Sequence, residues 1–482
     1  MSGFNSRPKK ATNKCGHAAF DMKPKEKLAT QVLTTFFNEP KFYGDNSNEI
    51  LENAAKMCHE DPEFVAKLAV YARTKLNMRS VSHALCAVLA HEVKDKQYVR
   101  NAIRTVGNTR GDDLVEILAA YLNLYGKPIP NSLRRGLRDA LECFSDYHIA
   151  KYQERGKAVT MADVVKICHP SRRSSGLFQK LIEGDLAVPT SWETEVAANG
   201  NNAETWEKLI ADGNLGYMAA LRNLRNMVKA KPSNLDDILS KLADPEEVRR
   251  SRQLPFRFYS AWKANAGAGT KVLDTLEAAL EASMENLPKL PGKTAVFVDC
   301  SGSMDMPISR KSDVRANEIA GLLGIMLAKM SDDCVMYRFD DDAYPFPVSK
   351  RGGVLSQLNA MDFYGGCTNM GAPFQRMLDE GIECDRIIIL SDNEVNDPYV
   401  RTGRGFWDYS RTIMQSLADE YRQAVVKDVW VHAIDLQGYG TQQFQGGKTN
   451  VIAGWSEKIL EFVKLVEDGT GSLIEDIEET VV

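Results

Sequence analysis

Apolar residues recur at helical spacing from about residue 26 to residue 287, with almost no strand signal, and the pattern then changes abruptly. Val81, Ala84, Leu85, Val88, Leu89 and Val93 fall at i, i+3, i+4, i+7, i+8 and i+12, one apolar face of a helix. Leu114, Ile117, Leu118, Tyr121 and Leu122 repeat the spacing, and Gly126, Pro128 and Pro130 end that helix. Leu133, Leu137, Leu141 and Phe144 make the next. Successive helices of this kind must bury their faces against neighbours, as a stacked-helix solenoid does. No sharp fixed-period repeat is visible, so a compact helical bundle satisfies the same periodicity.

The change falls at Pro288-Lys289-Leu290-Pro291-Gly292, a stretch of linker composition. Beyond it, short apolar strands at 294–300, 333–339, 386–391 and 428–434 alternate with helices near 312–330 and 408–424. Near-continuous apolar strands alternating with helices predict a doubly wound, mostly parallel sheet covered on both faces. The expected organisation is a basic mobile tail at 1–23, a helical domain at 24–287, a linker at 288–292, and an α/β domain at 293–482 whose acidic end is a solubilising one.

A chain of 482 residues exceeds one core, in agreement with this division. No apolar run approaches the roughly 20 residues of a membrane helix, and the basic N-terminus has no apolar segment behind it. Nine scattered cysteines without a Cys-x-x-Cys pair point to reduced thiols in a cytoplasm, not to a disulfide framework or a zinc site. The net charge of −5 hides a split. Residues 1–292 carry 42 Lys/Arg against 35 Asp/Glu, and residues 293–482 carry 18 against 30. A basic first part with an acidic second part fits a polyanion partner for the first only, or uneven surface composition with no partner.

The first strand of the α/β domain runs into Asp299-Cys300-Ser301-Gly302-Ser303. Ligands of open α/β sheets sit beyond the carboxyl ends of the strands, and Asp-x-Ser-x-Ser there offers three hard oxygens on alternate positions. Magnesium takes such oxygens in near-octahedral geometry. Gly365-Gly366-Cys367-Thr368 and Ser391-Asp392 supply two further oxygen-bearing segments. Three segments in this order, two at strand ends, favour a metal site over ordinary turn chemistry. Asp340, Asp341 and Asp342 also follow a strand end, and a solvated acidic loop accounts for them.

Taken with the strand pattern, these segments resemble the von Willebrand factor A domain and its metal-ion-dependent adhesion site. By that resemblance Asp299, Ser301, Ser303, Thr368 and Asp392 are the ligands of a Mg2+ ion. The preceding helices resemble the TROVE module of Ro ribonucleoproteins, shared with telomerase- and vault-associated proteins. The likeness rests on LAVYARTKLNMRSVSHALCAVLA (68–90), LPFRFYSAWKA (254–264), LSDNEV (390–395) and the order of the domains. It implies a HEAT-like α-helical repeat ring closed by the metal-site domain. Single-stranded 3′ ends of misfolded noncoding RNA would enter the ring and Y or Y-like RNA would bind its outer surface, in RNA quality control. It also allows a 3′-to-5′ exoribonuclease as partner of a monomeric, cytoplasmic protein.

The strongest local match, KYQERGKAVTMADVVKICH (151–169), carries the family's RNA contacts onto Lys151, Arg155 and His169. Between His148 and Lys180 stand seven Lys/Arg (151, 155, 157, 166, 172, 173, 180) against Glu154 and Asp163. Clustered cations meet phosphates and release counterions, and Tyr152 is placed to stack on a base. A solvated basic face is the alternative. Arg134, Arg135 and Arg138 share one helix and extend the groove or simply face solvent. Arg79 and His83, four apart, either line the ring or make a core contact. No phosphate-cradling loop and no second metal cluster appears, so no enzyme is expected. The competing reading is a metal-dependent protein-binding or scaffold module that takes a partner's carboxylate.

Overall fold

The computed structural model describes residues 10–13, 16–34, 47–154, 156–170, 175–253, 255–285, 287–307, 314–363, 365–395, 413–437, 441–453, 458–468 and 473–482. The chain divides into two compact units, one of Pro24–Glu195 with Leu473–Val482, the other of Met1–Lys23 with Val196–Ser472. No helix among the described residues is long and apolar enough to cross a membrane.

The elements of the first unit are all helices among the described residues. Helices Ser47–Glu60, Pro62–Thr74, Ser80–Glu92, Gln97–Gly107, Gly111–Tyr125 and Asn131–Leu141 follow one another through short turns. The helix Pro62–Thr74 starts where Asp61 accepts the Phe64 amide at 3.1 Å and Pro62 fills the first turn. Gly126, at φ +67, stops the helix Gly111–Tyr125. Each helix from Ser47–Glu60 to Gly111–Tyr125 packs on its successor, and each from Ser47–Glu60 to Gln97–Gly107 on the helix two further along. That is the neighbour pattern of stacked repeats rather than of a closed bundle. The helix Ser80–Glu92 is buried all round from Val81 to Ala90, not along one face as its spacing alone predicts. Ala84, Ala87, Ala90 and Ser82 are small enough for neighbours to approach from every side.

Ionic groups are buried at the heart of this unit. Asp113 Oδ2 accepts Arg73 Nε and Nη2 at 3.0 and 2.7 Å, and Asp113 Oδ1 lies 2.9 Å from His83 Nε2 and 3.3 Å from Arg79 Nε. Arg79 Nη2 also donates to Asp112 at 2.8 Å. Arg79 and His83 thus make a core contact. The acidic end is likewise structural: in the helix Leu473–Glu478, Ile477 is fully buried, Glu478 pairs with Lys25, and Lys67 donates to its carbonyl at 2.8 Å.

The second unit holds strands β1 (Lys10–Thr12), β2 (Ala18–Asp21), β3 (Leu290–Asp299), β4 (Ser331–Phe339), β5 (Ala343–Pro345), β6 (Arg386–Ser391), β7 (Trp430–Asp435), β8 (Thr441–Gln442) and β9 (Thr449–Ala453). The main sheet runs β5-β4-β3-β6-β7-β9 and is parallel except at β5. The four expected strands are β3, β4, β6 and β7; the short edge strands β5 and β9 carry too little pattern to be seen in sequence. The helix Ala316–Met330 lies against this sheet so closely that a Cβ on Gly324 would fall 2.6 Å from Val298 Cγ2. Residues 312–313 and 408–412, the expected starts of two helices, lie outside the described residues.

Three boundaries differ from those read in sequence. Part of the expected mobile tail forms an antiparallel hairpin, β1 with β2, extended by β8, because Ala19, Phe20 and Met22 are buried. The expected linker is partly strand: Leu290 is buried and pairs with Ser331, with an irregularity before Lys293. Helices from Ala203–Ala211 to Thr270–Met284 group with the α/β domain. The last of these supplies Glu281 and Glu277, which accept the amides of Val354 and Leu355, both at 2.8 Å, and so cap the helix Val354–Asn359. Glu281 also pairs with Lys329 at 2.9 Å.

Candidate functional site

At the carboxyl end of β3 the backbone leaves the sheet with Cys300 N bonded to Phe339 O at 2.8 Å, and the chain turns through Ser301–Ser303. Asp299 and Ser301 are fully buried, while Ser303 is half-buried. Asp299 Oδ1 accepts the Ser301 amide at 2.9 Å, and Ser301 Oγ lies 3.1 Å from Ser303 Oγ. Three of the expected ligands are therefore joined in one hydrogen-bonded turn. Asp299 Oδ2 accepts the hydroxyl of Ser391, which ties this turn to the end of β6, where Asp392 follows, also fully buried.

The Thr368 loop is brought in by its backbone. Gly302 N donates to Gly366 O at 3.0 Å, with Gly365 at φ +74, a conformation that favours glycine. Asp341 Oδ1 accepts Cys367 N at 2.7 Å and Asp340 O accepts Asn369 N at 2.8 Å, so Thr368 is held between two anchored amides and is itself buried. Asp340 and Asp341 are thus the scaffold of this loop, not a solvated run. Sequence reasoning missed that role and that of Ser391, although Ser391 stands at the strand end inside LSDNEV. The hairpin β1–β2 contributes too: Asn13 Nδ2 donates to Val395 O at 2.8 Å, just beyond Asp392.

Burial and the charge of Asp392 push the Asp299 carboxyl up to about 7, against the hydrogen bonds from Ser301 and Ser391. Two carboxylates and three hydroxyls gathered here, mostly buried, form a donor set suited to a hard divalent cation, which would offset the cost of burying like charges.

A second group of candidate residues lies in the helical unit. Lys151 ends the helix Asp146–Lys151 and is half-buried; His169 is exposed, in left-handed conformation at φ 47, ψ 63, capping the helix Met161–Cys168. Arg155, Arg172 and Arg173 lie outside the described residues. Lys157 is engaged with Glu116 at 2.9 Å and Glu154 at 2.6 Å, which removes it from the free positive charge. Lys166 and Lys180 are exposed. Arg134 and Arg138, on the neighbouring helix Asn131–Leu141, act on the Cys168 thiol; burial raises it to about 12 while their charge opposes that rise. Their helix therefore adds cations beside His169. The Tyr152 ring is already committed: Arg110 sits over it at 5.2 Å, and a Cβ on Gly111 would meet it at 2.5 Å.

A helical-repeat region joined to a von Willebrand factor A-type domain, with hydroxyls and carboxylates at the carboxyl edge of its sheet, defines the class of this protein. The TROVE domain model matches residues 37–187 and 183–288, and the Ro60 vWA domain model matches 293–417. The chain belongs to the Ro ribonucleoprotein family. Over 327 residues it is 24% identical to Telomerase protein component 1 of Mus musculus, a stretch covering 50% of this chain and 12% of that protein. Over 265 residues it is 28% identical to RNA-binding protein RO60 of Caenorhabditis elegans, covering 50% of this chain and 40% of that one. The matches thus span less than half the length of either relative. The crystal structure of the Deinococcus radiodurans RO (RSR) protein shares the fold, with a TM-score of 0.61 at 16% identity over 87% of this chain and 93% of that chain.

Proposed function

We propose that this protein is the RNA-binding component of a ribonucleoprotein. In this reading it holds Y or Y-like small noncoding RNA and the single-stranded 3′ ends of misfolded RNA, in RNA quality control. The observation that carries the reading is the set of basic residues in the helical unit, where Lys166 and His169 belong to a helix packed on the Arg134–Arg138 helix and Lys151 ends the helix before it. Family membership and the name of the nematode relative support it. Arg155, outside the described residues, is a further candidate RNA contact by the family resemblance of its sequence segment.

In the same proposal Asp299, Ser301, Ser303, Thr368 and Asp392 hold Mg2+. The ion would neutralise the buried carboxylates, bind the three loops together, and leave a position for an outside carboxylate. The partial exposure of Ser303 among buried ligands favours this second, protein-binding use of the site, which is compatible with the first. A 3′-to-5′ exoribonuclease as partner, a monomeric state and a cytoplasmic location complete the proposal. Free thiols at the described cysteines fit a reducing compartment.

The test is filter binding of the full-length chain to a structured RNA with a single-stranded 3′ tail. Lys151→Ala should weaken binding for all sequences and flatten the salt slope by about one unit, as for a lost phosphate contact. His169→Ala should cost less than Lys151→Ala if the ring only stacks or donates one neutral hydrogen bond. A Lys151→Ala/His169→Ala variant that melts normally and binds as tightly as the parent would remove this surface from the account.

A further inference from the structure

The helix Tyr217–Ala230 contains no acidic residue. Tyr217, Ala220, Leu221, Leu224 and Met227 are buried, and the opposite stripe presents Met218, Arg222, Arg225, Asn226 and Lys229, all exposed. Among the described residues, Arg222, Arg225 and Lys229 have no side-chain hydrogen bond and no ion pair. Several other cations in this run of helices are engaged. Lys241 donates to Leu215 O at 3.0 Å, Arg249 and Arg250 pair with Glu246 and Glu247, Lys263 with Glu318, and Lys271 with Asp236.

Like charges three and four residues apart on a helix repel each other. Here three occur together without a compensating acid, at about 4.5 and 6 Å along the helix axis from the rise per residue. Such a row meets successive phosphates of one strand. Guanidinium groups grip phosphate in two-pronged fashion, and the exposed Met218 adds apolar surface for a base at one end of the stripe. A carboxylate-rich protein would supply the same sign of charge, but not the regular spacing.

We infer that the Arg222–Arg225–Lys229 face binds the phosphate backbone of an RNA strand, as a surface additional to the one around Lys151 and His169. The inference rests on the RNA-binding reading and adds a contact in the other unit of the chain. The experiment uses the full-length chain and a labelled 20-nucleotide oligo(U), titrated between 50 and 300 mM salt. Single-stranded binding loses about 0.7 in the slope of log affinity against log salt for each phosphate contact removed. An Arg222→Ala/Arg225→Ala/Lys229→Ala variant should therefore lower that slope by about two units, with an unchanged melting curve. Arg222→Lys/Arg225→Lys should keep most of the slope because the charge stays. If the triple variant binds with the parent's affinity and slope while Lys151→Ala is weakened, this face is not a contact and the first surface stands. If the parent does not bind oligo(U) or tailed RNA at any salt, both readings fall together.

Discussion

Asp113→Ala should destabilise the helical unit by about 3–5 kcal/mol, the cost of stranding a buried charge whose partner is gone. Asp113 is fully buried and is the shared acceptor of Arg73, from the helix Pro62–Thr74, and of Arg79 and His83, just before and within the helix Ser80–Glu92. Arg73 is itself almost fully buried, so water does not replace the lost carboxylate. Burial alone would raise the Asp113 carboxyl, but the His83 hydrogen bond and the Arg73 charge outweigh it and hold it below its ordinary 3.8. A lowered folded value means the stabilisation is fully present above 3.8 and is lost as pH falls through the folded value. A domain has about 5–15 kcal/mol of stability in all, so the loss takes at least about a fifth of it and should lower the melting temperature by about 6 °C or more. Arg73→Met combined with Asp113→Leu should recover part of the loss, because it removes the most deeply buried stranded charge and leaves Arg79 its Asp112 partner, while His83 still loses its acceptor. A melting temperature for Asp113→Ala within about 2 °C of the parent would show that the network carries little of the stability.

The second large effect concerns the proposed magnesium site. At 100 times its dissociation constant, a ligand bound only by the folded state adds about 2.7 kcal/mol. Mg2+ should therefore raise the melting temperature of the α/β transition in the parent, and EDTA should reverse the rise. In Asp299→Ala the response should vanish. If Mg2+ stabilises parent and variant equally, these five oxygens are not its ligands.

The parts of the molecule legible in sequence are those where one pattern has one physical cause. Four central strands show because residues such as Ile387, Ile388 and Ile389 are buried on both faces of a covered sheet. Edge strands β5 and β9 do not show, since few of their residues share that burial. Asp299, Ser301 and Ser303 could be singled out because their spacing and strand-end position coincide. Ser391, Asp340 and Asp341 also stand out at strand ends, but their roles could not be read, since these depend on which loop amides and carboxylates the fold brings to them. The hairpin of residues 10–21 looks like a tail because its partner, Thr441–Gln442, lies more than 400 residues away. The full burial of the helix Ser80–Glu92 was hidden for a similar reason: periodicity registers one face, and neighbours distant in sequence cover the others. Arg79 and His83 became readable only once Asp113 was seen between them.

The central claim is that RNA binding is electrostatic and belongs to the basic helical surfaces rather than to the metal site. Its most direct test is a filter-binding titration of the full-length chain with a 3′-tailed structured RNA at 50 and 200 mM salt, each with Mg2+ and with EDTA. Six or more phosphate contacts lower affinity by about 10³-fold or more over that range, and fewer contacts by correspondingly less. The predicted result is a loss of at least about 10²-fold with salt. At matched ionic strength, the difference between Mg2+ and EDTA should be small beside it. An affinity flat across the salt range, or binding that disappears in EDTA at low salt, would contradict the account.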